Sequence, residues 1–324
     1  PTMKVFKHDD SLGNTIPGGV GTGPSTPLAI PSIDVGDWPL CVALTPTGAH
    51  AYVTNAHSNT VSVIDTGAKS VVATIAVGNN PHRVAVRPDG ARAYVTNYDD
   101  YTVSVIDTAT NSVIATVPVG TGAGKGADGV VLSPDGSRAF IGSSNIVSVL
   151  NTATNTVTST TKLGFGPFGM ALSPFGTRLY VASWTGDSVR MISDAGTTDI
   201  AVGNSPEGVA ASHDGTRIYV ANADGGTLSV IDTATNTVSK TINMGNTPVG
   251  VAVSPNNKLV CVTNQFGDGT VKVVNSATDT VVKSFKLGGV PVGIAIHPDG
   301  QRAYVTLREA GTVRVLSLAS LQNS

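Results

Sequence analysis

His82, Asp128 and Glu207 carry an imidazole and two carboxylates, the groups most often used for general acid and base chemistry, and all three occupy one position of a recurring segment. The segment reads "PLCVALTP" from Pro39, "PHRVAVRP" from Pro81, "ADGVVLSP" from Ala127, "PFGMALSP" from Pro167, "PEGVAASH" from Pro206, "PVGVAVSP" from Pro248 and "PVGIAIHP" from Pro291. Its second position is Leu40, His82, Asp128, Phe168, Glu207, Val249 and Val292, so copies two to five are polar or aromatic and the others apolar. Such a set could move protons, or could instead hold a divalent metal; no other cofactor is expected. The third position is Gly in five copies, but Cys41 in the first and Arg83 in the second. Arg83 could steady an anion, or neutralise Asp128 as a structural ion pair.

A second group of candidates lies where the copies disagree. "YDDY" (Tyr98, Asp99, Asp100, Tyr101) appears once, and equivalent loops carry Trp184 in "SWTGDS" and the pair Arg308 and Glu309. The long connection "GTGAGKGAD" (120–128) adds Lys125, and "GFGPFG" (164–169) places Phe165 close to Phe168. With aromatics at only 5% of the chain, Phe165, Phe168 and Trp184 near one rim could line an apolar wall for an organic ligand. The competing readings are interblade packing for the aromatics and a solvated hairpin tip for "YDDY".

The elements that must position these residues follow from the period. Successive copies start 42, 46, 40, 39, 42 and 43 residues apart, the length of one four-stranded propeller blade. In the second copy the strands are predicted at "RVAV" (83–86), "RAYVTN" (92–97), "TVSVID" (102–107) and "SVIATVPV" (112–119), termed a to d. The a–b turn "RPDG" uses Pro88 and Gly90, and the c–d turn "DTATN" supplies Asp and Asn side chains that can fix the backbone. The seventh copy stops after strand c, whereas "IPSIDVG" (30–36) resembles the end of a strand d and precedes the first copy. The fold expected is therefore an all-β, seven-bladed β-propeller over 29–324, closed by the N-terminal strand completing blade 7, with residues 1–28 as an irregular arm. Its d–a and b–c loops then share one face, here called upper, where the variable residues gather.

The stretches "AYVTN", "TVSVIDTATNSV" (102–113) and "TLSVIDTATNTV" (227–238) also resemble the YVTN-repeat β-propeller family over about residues 29–318. That family includes binding and surface proteins as well as lactonase-like and streptogramin-lyase-like enzymes, so the resemblance implies a fold and leaves activity open. No motif in the chain carries those enzymes' catalytic residues across, and G-x-S-x-G, P-loop and H-E-x-x-H patterns are absent.

Twenty basic and twenty-two acidic residues give a net charge of −2, which argues against nucleic acid or an anionic membrane as partner. No apolar run is long enough for a membrane span, and the first residues lack a signal peptide's apolar core, so a cytoplasmic monomer is expected, a mature secreted protein being the alternative. Cys41 and Cys261 fall in non-neighbouring repeats and are expected to be free. Opposite the variable loops, Arg92, Arg138, Arg178, Arg217, Lys258 and Arg302, with His50, follow the a–b turns and are expected to pair with turn acids or carbonyls; a phosphate-binding surface is the alternative. The resulting functional expectation is a rigid scaffold binding a small organic molecule, glycan or peptide on the upper face of blades 2 to 5. The alternative is an enzyme of lactone hydrolysis, elimination or cyclisation, with His82, Asp128 and Glu207 as acid or base.

Overall fold

The computed structural model describes residues 30–120, 126–267 and 269–322. Lys125 and the arm 1–28 lie outside the described residues. The strands form seven four-stranded antiparallel sheets, each blade following chain order a-b-c-d outward from the channel, except the last. In blade 7 the outer strand is Ser32–Asp34, with Ile33 opposite Val313, so the expected closure is realised. Among the described residues no helix is long and apolar enough to cross a membrane.

Blade 2 shows why the repeat has its sequence. Strands b and c span Arg92–Asn97 and Thr102–Asp107, as the pattern predicts, strand a begins earlier at Pro81, and strand d is Ser112–Pro118. Gly90 takes φ +74° in the a–b turn, and Asn111 takes φ +51° at the end of the c–d turn. Asp107 accepts the backbone N–H groups of Ala109 and Thr110, both at 3.0 Å, which fixes that turn.

Each letter of the "YVTN" stretch has a separate task. The tyrosines (Tyr52, Tyr94, Tyr180, Tyr219, Tyr304) are fully buried between blades, and Tyr52 donates its hydroxyl to Asn111 of the next blade at 2.9 Å. Valines such as Val53 and Val95 fill seven interblade cores, one per junction; Ile33, Val313 and Val315 meet Val42, Ala51 and Val53 at the closure. At roughly 1.5–3 kcal/mol per buried side chain, these junctions supply the main driving force for the ring. Asn97 donates to Thr102 and Ser104, both at 2.9 Å, tying strand b to strand c. The threonines cross between blades: Thr54 donates to the His82 carbonyl at 2.8 Å and Thr96 to that of Asp128 at 2.9 Å.

The lower face is built of the same kind of contact. Arg92 reaches the Thr152 carbonyl at 2.7 Å, Arg178 that of Thr233 at 2.5 Å, and Arg217 that of Ser276 at 2.6 Å, each in the following blade. One member of the expected cationic row is displaced: Leu259 opens strand b of blade 6, so Lys258 sits one residue earlier and donates to Gln322 instead. Both cysteines are free, and burial pushes the Cys261 thiol up to about 12.

Candidate functional site

The segment that opens each strand a is a β-bulge. In blade 2, Pro81 stands opposite Asn97 but Val84 opposite Val95, so one extra residue is held between them, at His82 and Arg83. The same shift occurs after Ala127, Pro167 and Pro206, which places Asp128, Phe168 and Glu207 in equivalent bulges. Side chains there leave the strand alternation and turn toward the channel mouth. Blades approach closely at this level. A Cβ on Gly169 would lie 2.0 Å from the Glu207 carbonyl oxygen, and one on Gly208 2.0 Å from that of Val249, which is why Gly follows the bulge residue.

His82 and Asp128 come together across the junction of blades 2 and 3, with His82 Nδ1 3.1 Å from Asp128 Oδ1. Arg83 Nε is 3.7 Å from the same oxygen, and the Asp128 side chain is only 9% exposed, so two cation-forming groups converge on a buried carboxylate. Thr96 sits behind them, accepting the Arg83 N–H at 3.0 Å while donating to the Asp128 carbonyl. Burial works against the charge on Arg83, and the Asp128 carboxylate, helped by Glu207, more than restores it. Glu207 has the opposite history: burial pushes its carboxyl pKa up, Arg83 and Arg308 pull it back, and Asp128 raises it further.

"YDDY" divides into different roles. Tyr98 stacks on His82 with ring centroids 4.3 Å apart and planes 19° apart, and burial raises its hydroxyl pKa. Asp100 is structural, accepting the Asn79 N–H at 2.7 Å and its side-chain amide at 2.8 Å. Asp99 is exposed, and Tyr101 takes φ +56° beside Gly120. The aromatics divide too. Phe168 meets Trp184 at 5.5 Å, with Trp184 37% exposed at the rim, whereas Phe165 lies beneath the Arg190 guanidinium, 5.0 Å away, and packs into the junction of blades 3 and 4. Phe165 thus follows the packing alternative rather than the ligand-wall expectation. Glu309 is exposed.

The mouth encloses a cavity of about 220 Å³. His82, Arg83, Asp128, Phe168, Glu207 and Arg308 all line it, and three blades outside the expected set contribute as well: Trp38 and Leu40 from blade 1, Gln265 from blade 6 and Val292 from blade 7. A smaller space of about 140 Å³ continues down the channel past Arg83 and Phe168 to Val249 and the bulge glycines. Trp38 and Gln265 are absent from the sequence expectation. Gln265 holds the first b–c loop position, the same one as Tyr98, Trp184 and Arg308, and that row would have revealed it. Trp38 precedes the leading proline and takes φ +61°, with His57 stacked on it at 4.4 Å and the Arg308 guanidinium over it at 4.8 Å. Among the described residues no group of three or more His, Cys, Asp or Glu side chains is placed to hold a metal ion.

No protein-family model matches the chain, and no curated protein matches it in sequence. Among solved structures, hydrazine synthase of Kuenenia stuttgartiensis superposes with a TM-score of 0.79, covering 93% of this chain and 99% of that chain at 22% identity. It is one of 1814 matching chains, and at this identity the likeness shows the propeller fold alone.

Proposed function

We propose that the protein is a rigid receptor that holds a small organic molecule, or one end group of a glycan or peptide, in the mouth of its channel. The observation that supports this most is the composition of the cavity: Trp38, Leu40, Phe168 and Val292 give an apolar wall, and Arg83, Asp128, Glu207, Gln265 and Arg308 give convergent polar groups. About 220 Å³ falls below the roughly 300–1,000 Å³ of sites for drug-sized ligands, so the occupant is small or enters by a single residue or sugar. Bulges and interblade threonine bonds hold the lining in place before a ligand arrives, which lowers the ordering cost of binding. The YVTN-repeat resemblance of the strands is compatible with a binding role.

Both tryptophans of the chain stand at this mouth, so their emission reports on it. A screen of small ligands is expected to find compounds that change the emission saturably, and Phe168→Ala is expected to weaken them about tenfold. Phe175→Ala, on an exposed lower turn, is expected to leave affinity unchanged. Ligands that bind without altering the emission and equally well to both variants would refute the reading.

One contact favours an enzymatic second reading. An aspartate on Nδ1 of a histidine fixes the ring for proton transfer at its other nitrogen, and the nearby Glu207 carboxyl is shifted toward its protonated form. In that case His82→Ala and Glu207→Gln abolish turnover of lactones or elimination substrates while the protein stays folded; in a receptor they alter affinity and no turnover exists to lose.

A further inference from the structure

The charges at the mouth are unevenly matched. Asp128 is shared by His82 and Arg83, so the cation of blade 2 already has its partner. Arg308, in the b–c loop of blade 7, forms no ion pair among the described residues, and its Nε is buried with no hydrogen-bond partner. Its guanidinium lies over the Trp38 ring, which orients the planar fork without using its donors. Trp38 takes φ +61°, and Asn80, Ser205 and Thr247 take +54°, +54° and +45° before the leading prolines of their own blades, so the d–a turn itself fixes where the indole stands. A buried donor left unmatched beside a cavity costs free energy until an acceptor arrives.

We propose that the mouth takes a small organic carboxylate, its anionic end on Arg308 beside Gln265 and its apolar end against Phe168, Leu40 and Val292. This rests on the reading of the mouth as a ligand site. A planar two-oxygen anion matches the guanidinium fork, and a monoanion adds less negative charge to the Asp128 and Glu207 carboxyls already at the mouth than a phosphate dianion would. The apolar wall opposite demands a hydrocarbon portion, and the volume keeps that portion short. Burial raises the Glu207 carboxyl pKa, which lessens its opposition to an incoming anion.

The test compares acids with their own primary amides, which have nearly the same shape and no charge. Acetate, isobutyrate and phenylacetate, each beside its amide, are titrated into the intact protein while tryptophan emission is followed. At least one acid is expected to saturate, and to bind at least about tenfold more tightly than its amide; Arg308→Gln is expected to remove that preference and leave the amide unchanged. Equal affinity for acid and amide, an unchanged preference in Arg308→Gln, or no response to any acid would overturn the proposal. Neutral compounds that still bind in a Phe168-dependent way would then leave the receptor reading standing; if these fail as well, both fall. The acid–amide comparison in the unmutated protein decides the matter even if the variant does not fold.

Discussion

Carboxylates at the two rims of the ring are shifted in opposite directions. On the lower rim, Asp107 and Asp232 accept backbone N–H groups of their own turns, and those bonds hold their pKa below the ordinary range. Asp135 is held lower still, by the Ser133 hydroxyl and by the N–H and hydroxyl of Ser137. On the upper rim, burial drives Glu207 the other way. The lower acids recur with their turns, Asp65, Asp107 and Asp232 in the c–d turns of blades 1, 2 and 5, whereas Glu207 appears in one blade and satisfies no turn. A titratable group that breaks the repeat, loses solvent and faces a cavity is a site candidate; one that repeats with its turn is architecture.

Three experiments would break or sharpen that contrast. The largest effect is expected from Gly208→Val, whose Cβ would lie 2.0 Å from the Val249 carbonyl oxygen. Forcing neighbouring blades apart there should cost about 3 kcal/mol in denaturant unfolding. A variant of native stability would mean that the upper mouth is compliant rather than rigid. Next is Arg92→Ala, which removes the bond to the Thr152 carbonyl and should cost about 1 kcal/mol while leaving any ligand-induced change in tryptophan emission intact. If that emission response were lost, the two rims could not be treated as separate.

The smallest effect is a pH dependence. Glu207 has its folded pKa raised, so its contribution to stability is full below the unfolded pKa and is lost as pH rises through the folded value. The lower-rim aspartates, with folded pKa depressed, contribute stability above their unfolded pKa and lose it as pH falls. Melting temperatures between about pH 4 and pH 8 should therefore show Glu207→Gln flattening the decline on the neutral side and leaving the acid limb unchanged. Parallel curves for the two proteins would remove Glu207 from the argument.

The fold was legible because each blade repeats the same solution. Strands b and c of blade 2 fall at the residues the pattern indicates, and the closing strand is recognisable because "SIDVG" lacks a blade of its own. Lys258 was misplaced by one residue because an a–b turn containing Asn257 in place of Gly gives no fixed mark for counting. The mouth was only half legible. His82, Asp128, Phe168 and Glu207 share a register, and registers can be read from a repeat. Gln265 is legible from the row of first b–c loop positions, but which blades meet across the opening depends on the channel radius, which no local pattern encodes; Trp38 therefore has no mark in the sequence, and Phe165, next to the right register, is not distinguished from a residue of the mouth.

The closing strand has a consequence for how the protein is made. Ile33 and its partner Val313 lie at opposite ends of the ring's sequence, so one leaves the ribosome long before the other. Until then the outward face of blade 1, with Val42, Ala51 and Val53, has no neighbour on one side and stays open to water. The nascent ring must therefore carry a sticky seam until blade 7 is made, and the moment of greatest aggregation risk comes just before that blade emerges.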